Sequence, residues 1–176
     1  MIERSLRHFP ELQGKTITVG YTRAHLGSAS MSYQTGQVSR LVIRLKVRNL
    51  TYQTIGHELT HLVQGLSRRD RLARSSAARK HIPSGETQCD IWTLARHPLF
   101  CDDPPTYLRL PRRVREQWPD YAEPVRNLCA AAIEKRRSHR LYIRWLQHEI
   151  RQLPRSLPDQ KSGEQLILPF TSALIV

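Results

Sequence analysis

The pattern of apolar and polar residues predicts a short helix, a strand and a hairpin in the first third of the chain. Segment 2–13 has its apolar residues on one side, which is typical of an amphipathic helix. β-Branched residues alternate in segment 15–21 and predict a strand. Segment 29–47 alternates on both sides of Thr35-Gly36, so we expect a hairpin with one apolar face and one cationic face.

The period then changes to that of a helix. An apolar stripe between residues 50 and 67 predicts a helix that Asn49 or Thr51 can cap; it consists of Ile55, Leu59, Leu62, Val63 and Leu66. The charged segment 67–82 follows and predicts a loop or a short solvated helix.

The C-terminal half is predicted to be largely helical. Ser84 can cap a helix that ends near His97, and Pro124 suits the first turn of a long helix that runs to about Leu153. Few strands followed by many helices indicate an α+β fold with a small, mostly antiparallel sheet. We expect one domain over residues 1–153, followed by a polar linker and an apolar tail at 154–176.

The charge balance is strongly basic, with 28 Lys or Arg against 15 Asp or Glu and a net charge of +13. A field of this size favours polyanions such as DNA. Basic residues cluster at 68–80 and again at 109–155. The same residues also suit a solvated, solubilising surface, so DNA is one of two interpretations.

Cys89, Cys101 and Cys129 are scattered and form no C-x-x-C pair. We therefore expect reduced thiols and neither a disulfide framework nor a thiolate zinc site. The first five residues carry no apolar signal core, and no apolar run approaches membrane-spanning length. These observations predict a cytoplasmic protein with no membrane partner.

The predicted helix at 50–67 contains His57 and His61 with Glu58 between them. Residues i and i+4 share one helix face, so both imidazoles can hold one metal ion while Glu58 faces its open side. Neutral imidazole suits Zn²⁺, and catalytic zinc keeps a position for water whose pKa falls to about 7. Glu58 would take the proton as this water attacks a carbonyl. The alternative is two surface histidines, which the apolar flanks disfavour.

Catalytic zinc needs a third protein ligand, and the candidates are His81, Glu86, Asp90 and His97. Glu86 and Asp90 stand four residues apart on a predicted helix. One can therefore bind the metal while the other accepts the N–H of a ligand histidine. His81 falls in the charged segment 67–82, a poor place for precise ligation. Glu86 is the favoured ligand, and the others stay open.

The run His57-Glu58-x-x-His61 followed by Glu86-x-x-x-Asp90 resembles the gluzincin branch of zinc metallopeptidases, the thermolysin-like group, and especially its minimal single-domain members. The resemblance covers about the middle third of the chain. It implies a zincin-like fold with the sheet packed on the active-site helix, and hydrolysis of a protein or peptide substrate. It also implies zinc on His57, His61 and Glu86, with Glu58 as general base and Asp90 bonded to His57.

Larger gluzincins direct a tyrosine and a histidine at the oxyanion that forms when water attacks the substrate carbonyl. Tyr107 and His97 are the nearest candidates here, and the alternative for each is a purely structural role. In zincins an edge strand above the active-site helix pairs with extended substrate. The resemblance makes one arm of the hairpin at 29–47 the candidate strand. The alternative is an ordinary sheet edge guarded by charge.

An apolar island, residues 165–170, follows the polar linker. It resembles the short peptides by which bacterial replication and repair proteins dock on the sliding clamp. The contact residues would then be Gln165, Leu166, Leu168 and Phe170. The alternatives are a last strand that closes the sheet and, by resemblance to minimal gluzincins, a segment that lies in the cleft and keeps the enzyme latent.

Two function hypotheses follow. The first is a zinc metallopeptidase, with Glu58 as general base, that DNA or a sliding clamp could recruit. The second is a non-catalytic protein that binds DNA or the clamp and in which zinc is structural.

Overall fold

The computed structural model describes residues 1–34, 37–72 and 81–155. Among these, the elements run in the order α1 (Ile2–Leu6), β1 (Ile17–Tyr21), β2 (Gly27–Gln34), β3 (Gln37–Leu45), α2 (Tyr52–Leu72), α3 (Glu86–Arg96), α4 (Arg112–Glu116), α5 (Trp118–Lys135) and α6 (Tyr142–Gln152). Short 3₁₀ helices lie at Pro10–Leu12, Val47–Asn49 and Pro98–Cys101. The α+β class with a largely helical C-terminal half is confirmed.

The three strands form one sheet in the order β1, β3, β2. β2 pairs with β3 antiparallel, as the hairpin predicts, but β1 pairs with β3 in parallel. The sheet is therefore mixed, and the expectation of a mostly antiparallel sheet holds for the longer β2–β3 pairing but not for β1. β3 takes the centre because Leu41, Ile43 and Leu45 are all buried, whereas β2 exposes Ser30 and Ser32 and stays at an edge.

Two apolar clusters meet at α3. The first packs the sheet on α2 and consists of Phe9, Leu12, Leu41, Ile43, Leu45, Ile55, Leu59, Leu62, Val63, Ile82 and Phe100. The second lies among the later helices and consists of Ile91, Leu94, Leu108, Val114, Trp118, Tyr121, Val125, Cys129, Ala132, Tyr142, Leu146 and Ile150. Trp92 of α3 packs against both clusters. The pair α2 and α3 thus joins the two halves of the fold.

Small residues let α2 and α3 approach closely. A Cβ at Gly56 would lie 2.6 Å from side-chain atoms of Thr93 and Phe100. Beside it, the Thr60 hydroxyl donates to the Gly56 carbonyl oxygen at 2.8 Å and lies 2.8 Å from the Thr93 hydroxyl. This contact fixes the register in which α2 faces α3.

The first turn of α2 is capped twice. The Thr51 hydroxyl accepts from the Thr54 amide at 3.1 Å, which confirms one of the two predicted caps. The Asp102 carboxylate accepts from the amides of Tyr52 and Gln53 at 2.7 and 2.8 Å. Its negative charge also suits the positive end of the helix dipole. Asp102 comes after α3, so it joins the end of that helical segment to the start of α2.

Helix boundaries differ from the predictions at three places. α1 is shorter than segment 2–13 because a separate 3₁₀ helix begins at Pro10. α2 continues to Leu72, so the beginning of segment 67–82, which was predicted to be a loop or a short solvated helix, is helical. α3 begins after Gly85, at φ 118°, and no side chain caps it, so Ser84 does not cap.

The predicted single helix from Pro124 to Leu153 is wrong. α5 already begins at Trp118 and contains Pro124, and α6 is separate. The break falls at residues 136–140, which are cationic or polar and offer nothing apolar to bury. The chain reverses there, and α5 and α6 pack against each other.

No helix in the described ranges is long and apolar enough to cross a membrane. Residues 156–176 lie outside the described residues, as do 73–80. The boundary between a domain at 1–153 and a tail at 154–176 therefore stays a prediction. The same holds for the docking residues Gln165, Leu166, Leu168 and Phe170.

Candidate metal centre

His57 and His61 project from one face of α2 toward Glu86 in the first turn of α3. Glu86 Oε2 lies 2.9 Å from His57 Nε2 and 3.1 Å from His61 Nε2. Two donor atoms bound tetrahedrally to one zinc ion are roughly 3.3 Å apart. The structure therefore brings the Glu86 oxygen to nearly the separation from each histidine nitrogen that one shared ion requires.

The hydrogen bonds on the far side of each ring show which nitrogen is free for a metal. His57 Nδ1 lies 2.8 Å from Asp90 Oδ1, and His61 Nδ1 lies 3.0 Å from Gln64 Oε1. Both partners are acceptors, so each neutral ring carries its hydrogen on Nδ1 and a lone pair on Nε2. Two lone pairs that face the Glu86 oxygen repel unless a cation lies among them. This donor set fits a divalent ion, although nitrogen and oxygen donors accept several.

The charges of the site shift the pKa values of its residues. Burial alone would lower the pKa of His57, but the hydrogen bond and charge of Asp90, with Glu86 and Glu58, raise it. Burial would raise the pKa of Glu86, but its hydrogen bonds to His57 and His61 and their charges lower it. Without a metal, a proton on His57 therefore supplies the cation that the two carboxylates require.

Asp90 is completely buried and accepts four hydrogen bonds. Besides His57, its donors are Gln53 Nε2 at 3.1 Å and the amides of Tyr107 and Leu108 at 2.6 and 2.7 Å. The predicted contact with His57 is present. The other three could not be predicted, because packing brings these donors together from distant positions. Asp90 thus orients one ligand ring and also holds the segment at 107–108 beside the site.

Glu58 is buried next to His57. Burial raises its pKa to about 7. The charge of His57 opposes this rise, and the charge of Glu86 adds to it. Gly27 of β2 lies directly against it, since a Cβ at Gly27 would be 2.5 Å from Glu58 Oε1. Glu58 is therefore a carboxyl group that can exchange a proton near neutral pH, at the end of an edge strand.

A cleft of about 190 Å³ opens at Glu58 and His57; its other lining residues are His25, Leu26, Gly27, Gln53, Thr54, Thr106 and Tyr107. The half-exposed Tyr107 ring stacks on His57 with 5.4 Å between centroids. His25 was not predicted, and its only sequence signal is its position just before the edge strand.

His97 lies outside this cleft. Its ring stacks on His8 with 3.8 Å between centroids, and its Nδ1 accepts from the Leu99 amide. Of the two candidates for the oxyanion, the structure therefore places Tyr107 at the site and gives His97 a capping role. His81 follows the undescribed segment 73–80, and its carbonyl oxygen accepts from Arg136 at 3.0 Å.

Cys89 forms a second candidate ligand set with His57 and His61, a group that could hold a metal ion. The sequence predicted no thiolate zinc site, so this second set was not anticipated. Cys89 Sγ lies 3.2 Å from His61 Nδ1, whereas Glu86 lies at Nε2 of the same ring. Burial and the nearby carboxylates raise the pKa of Cys89, so the thiol stays protonated without metal. Since His57 and His61 both direct Nε2 at Glu86, the geometry favours Glu86.

Comparison of the chain with protein-family models, curated proteins and solved structures finds no match. The resemblance to gluzincins rests on the sequence motif and stays a prediction.

Proposed function

We propose that this chain is a zinc-dependent metallopeptidase of the gluzincin type that hydrolyses peptide bonds in a protein or peptide substrate. The observation that carries the proposal is the convergence of His57 Nε2, His61 Nε2 and Glu86 Oε2, at 2.9 and 3.1 Å, next to the buried Glu58. The packing of an edge strand on the histidine-bearing helix supports a zincin-like arrangement.

A zinc ion held by His57, His61 and Glu86 would lower the pKa of a water ligand and polarise the substrate carbonyl. Glu58 would accept the proton of the attacking water and pass it to the leaving amine. In the metal-free site burial raises its pKa to about 7, which suits a carboxyl group that exchanges protons near neutral pH. Asp90 would keep the His57 ring in the orientation that leaves Nε2 free.

The sheet order narrows the choice of substrate-binding strand. Within the described part of the chain, β3 is central and paired on both sides, so of the two hairpin arms only β2 has a free edge. An extended peptide that pairs with β2 near Gly27 would place a peptide bond above Glu58. Tyr107 and His25 lie on the same cleft and can donate hydrogen bonds to the oxygen that becomes negative.

Glu58→Gln tests the proposal. We expect cleavage of a denatured protein substrate to fall about 10²- to 10⁴-fold, because the general base is lost. Zinc content per chain, measured by atomic absorption, should stay at the wild-type level. His57→Ala should lose zinc and cleavage together.

The matched control is Glu134→Gln, which changes an exposed carboxylate paired with Arg137 on α5. It should alter neither zinc content nor cleavage. Full cleavage by Glu58→Gln, or none by the zinc-loaded wild type on any denatured protein, contradicts the peptidase proposal.

A second candidate, a non-catalytic DNA- or clamp-associated protein, is favoured by the exposed cations between α5 and α6 and in the first turn of α6. Arg136 already donates to a carbonyl oxygen and Arg137 pairs with an acid, so Arg140 and Arg144 are the better probes. If this function holds, Arg140→Gln with Arg144→Gln should weaken DNA binding and its salt dependence, while Glu58→Gln leaves both unchanged. DNA binding that is indifferent to salt contradicts it.

A further inference from the structure

We infer that Gln64 is a positioning residue that selects the metal-binding nitrogen of His61 and also holds Glu86 at the start of α3. The inference concerns the metal site on which the proposed function rests. It does not require that the protein cleave peptides.

The amide oxygen of Gln64 acts on His61. Gln64 lies three residues after His61, so the two side chains are neighbours on one face of α2. The Gln64 side chain is buried, and its Oε1 lies 3.0 Å from His61 Nδ1. An amide oxygen can only accept, so the ring hydrogen belongs on Nδ1 and the lone pair on Nε2. That lone pair faces Glu86.

The amide nitrogen of Gln64 acts on the segment before α3. Gln64 Nε2 donates to the Pro83 carbonyl oxygen at 2.5 Å and lies 3.4 Å from that of Gly85. These residues directly precede Glu86, whose side chain is 49% exposed and whose helix has no side-chain cap. The contact from α2 therefore fixes the direction in which the chain enters α3, and so the position of the third ligand.

The choice of a neutral amide has a physical reason. His57 already has a carboxylate, Asp90, as the acceptor for its Nδ1 hydrogen. A second carboxylate beside His61 would add negative charge to a site that also holds Glu58 and Glu86. Gln64 accepts the hydrogen bond without that charge, and its NH₂ group provides the donor that a carboxylate lacks.

Cys89 is the rival partner of His61, because its Sγ lies 3.2 Å from the same Nδ1. Thiol sulfur is a weak acceptor, so the amide oxygen is the stronger partner. Cys89→Ala separates the two. If Gln64 orients the ring, this variant should keep nearly wild-type zinc affinity.

Zinc affinity of the full chain, measured by competition with a chelator of known affinity, tests the inference. Gln64→Met keeps the side-chain length but removes both polar groups, and we expect zinc binding to weaken about 10- to 100-fold. Gln64→Glu keeps the acceptor and loses the donor, so its loss should be smaller. It also provides the measurement if circular dichroism shows that Gln64→Met does not fold.

Gln88→Met is the matched control, because Gln88 is another buried glutamine and bonds the Tyr142 hydroxyl away from the metal ligands. It should leave zinc affinity close to wild type. In the Glu86→Ala variant, adding Gln64→Met should weaken zinc binding by less than it does in the wild type, because there is no longer a Glu86 carboxylate for Gln64 to position.

Wild-type zinc affinity in Gln64→Met overturns the inference, and so does a loss in Cys89→Ala as large as that in Gln64→Met. Full additivity with Glu86→Ala overturns the part that concerns Glu86. A protein that shows all the expected zinc affinities but cleaves nothing contradicts the proposed function alone.

Discussion

The two histidines of the candidate metal centre lie in different surroundings, which we call the buried wall and the open wall. The buried wall consists of His57, Asp90, Gln53 and the backbone at 107–108, and Asp90 is wholly inaccessible. The open wall consists of His61, Gln64 and Glu86, and the side chains of its two ligands are 25% and 49% exposed. Charge-assisted bonds in a dry interior are strong, whereas exposed contacts open easily. We therefore expect the buried wall to set the geometry, and metal to enter and leave past the open wall.

Asp90→Ala should have the largest effect on stability of the changes considered, because it disrupts the buried wall. It leaves four donors without their acceptor in the interior, so the free energy of unfolding of the metal-free protein should fall by about 3–5 kcal/mol. Gln64→Ala, the matched change on the open wall, should lose about 1 kcal/mol. Urea unfolding measures both, and equal losses would remove the distinction between the walls.

A comparison of Glu86→Ala with Cys89→Ala tests which of the two residues is the third ligand at the open wall. Loss of a ligand should weaken zinc binding by more than the roughly 100-fold that loss of an outer hydrogen-bond partner can cause. We therefore expect Glu86→Ala to exceed that value and Cys89→Ala to stay close to wild type in chelator competition. The reverse order would assign the thiol as the third ligand.

Gly27→Ala should impair catalysis without affecting either wall. The new Cβ would lie 2.5 Å from Glu58 Oε1, so the carboxylate must move. If Glu58 is the base, kcat/KM should fall about tenfold or more while zinc content is unchanged. Gly20→Ala is the control, because its Cβ would meet Arg44 at an ordinary 3.5 Å. Unchanged kcat/KM in Gly27→Ala would mean that the position of Glu58 does not matter.

The smallest expected effect is a dependence on pH. The stability of the metal-free protein should fall as pH rises, whereas zinc affinity should rise. His57 has a raised pKa, so its stabilisation is present below 6.5 and is lost as pH rises through the folded value. Because the pKa of Glu58 is raised, the stability that its protonated form contributes is likewise lost as pH rises from 4.5 through about 7. The lowered pKa of Glu86 acts in the other direction, with stability lost as pH falls below 4.5.

The Tm of the metal-free protein should therefore fall from about pH 5 to about pH 8, while zinc affinity rises because His57 must lose its proton to bind. Thermal scans in excess chelator and zinc titrations across this range check the two signs. A Tm that rises over the same interval contradicts the proposed state of His57.

The residues of the candidate metal site could be predicted from the sequence because their spacing is local. His57 and His61 are one helical turn apart, and Glu86 and Asp90 repeat that spacing on the next helix. The strands were likewise evident, since alternation is a property of neighbouring residues. The helix period indicates which side chains share a face, and here that was enough to predict most of the residues of the candidate metal site.

Contacts between elements could not be predicted from these local patterns. Nothing near Asp102 in sequence shows that it caps a helix some fifty positions earlier, as the contacts with Tyr52 and Gln53 do. The approach of Gly27 to Glu58 depends on how β2 packs on α2. The single long helix was predicted from 124 to 153 because two helices that pack together both have apolar stripes, and periodicity does not reveal the reversal between them.

Asp102 and Gln64 fasten opposite ends of the α2–α3 pair without any covalent link. One side chain secures the first turn of α2 to the residues after α3, and the other secures the middle of α2 to the residues before α3. The candidate ligands on the two helices are therefore tied together at both flanks of α3, and loss of one tie would leave the helices free to pivot about the other.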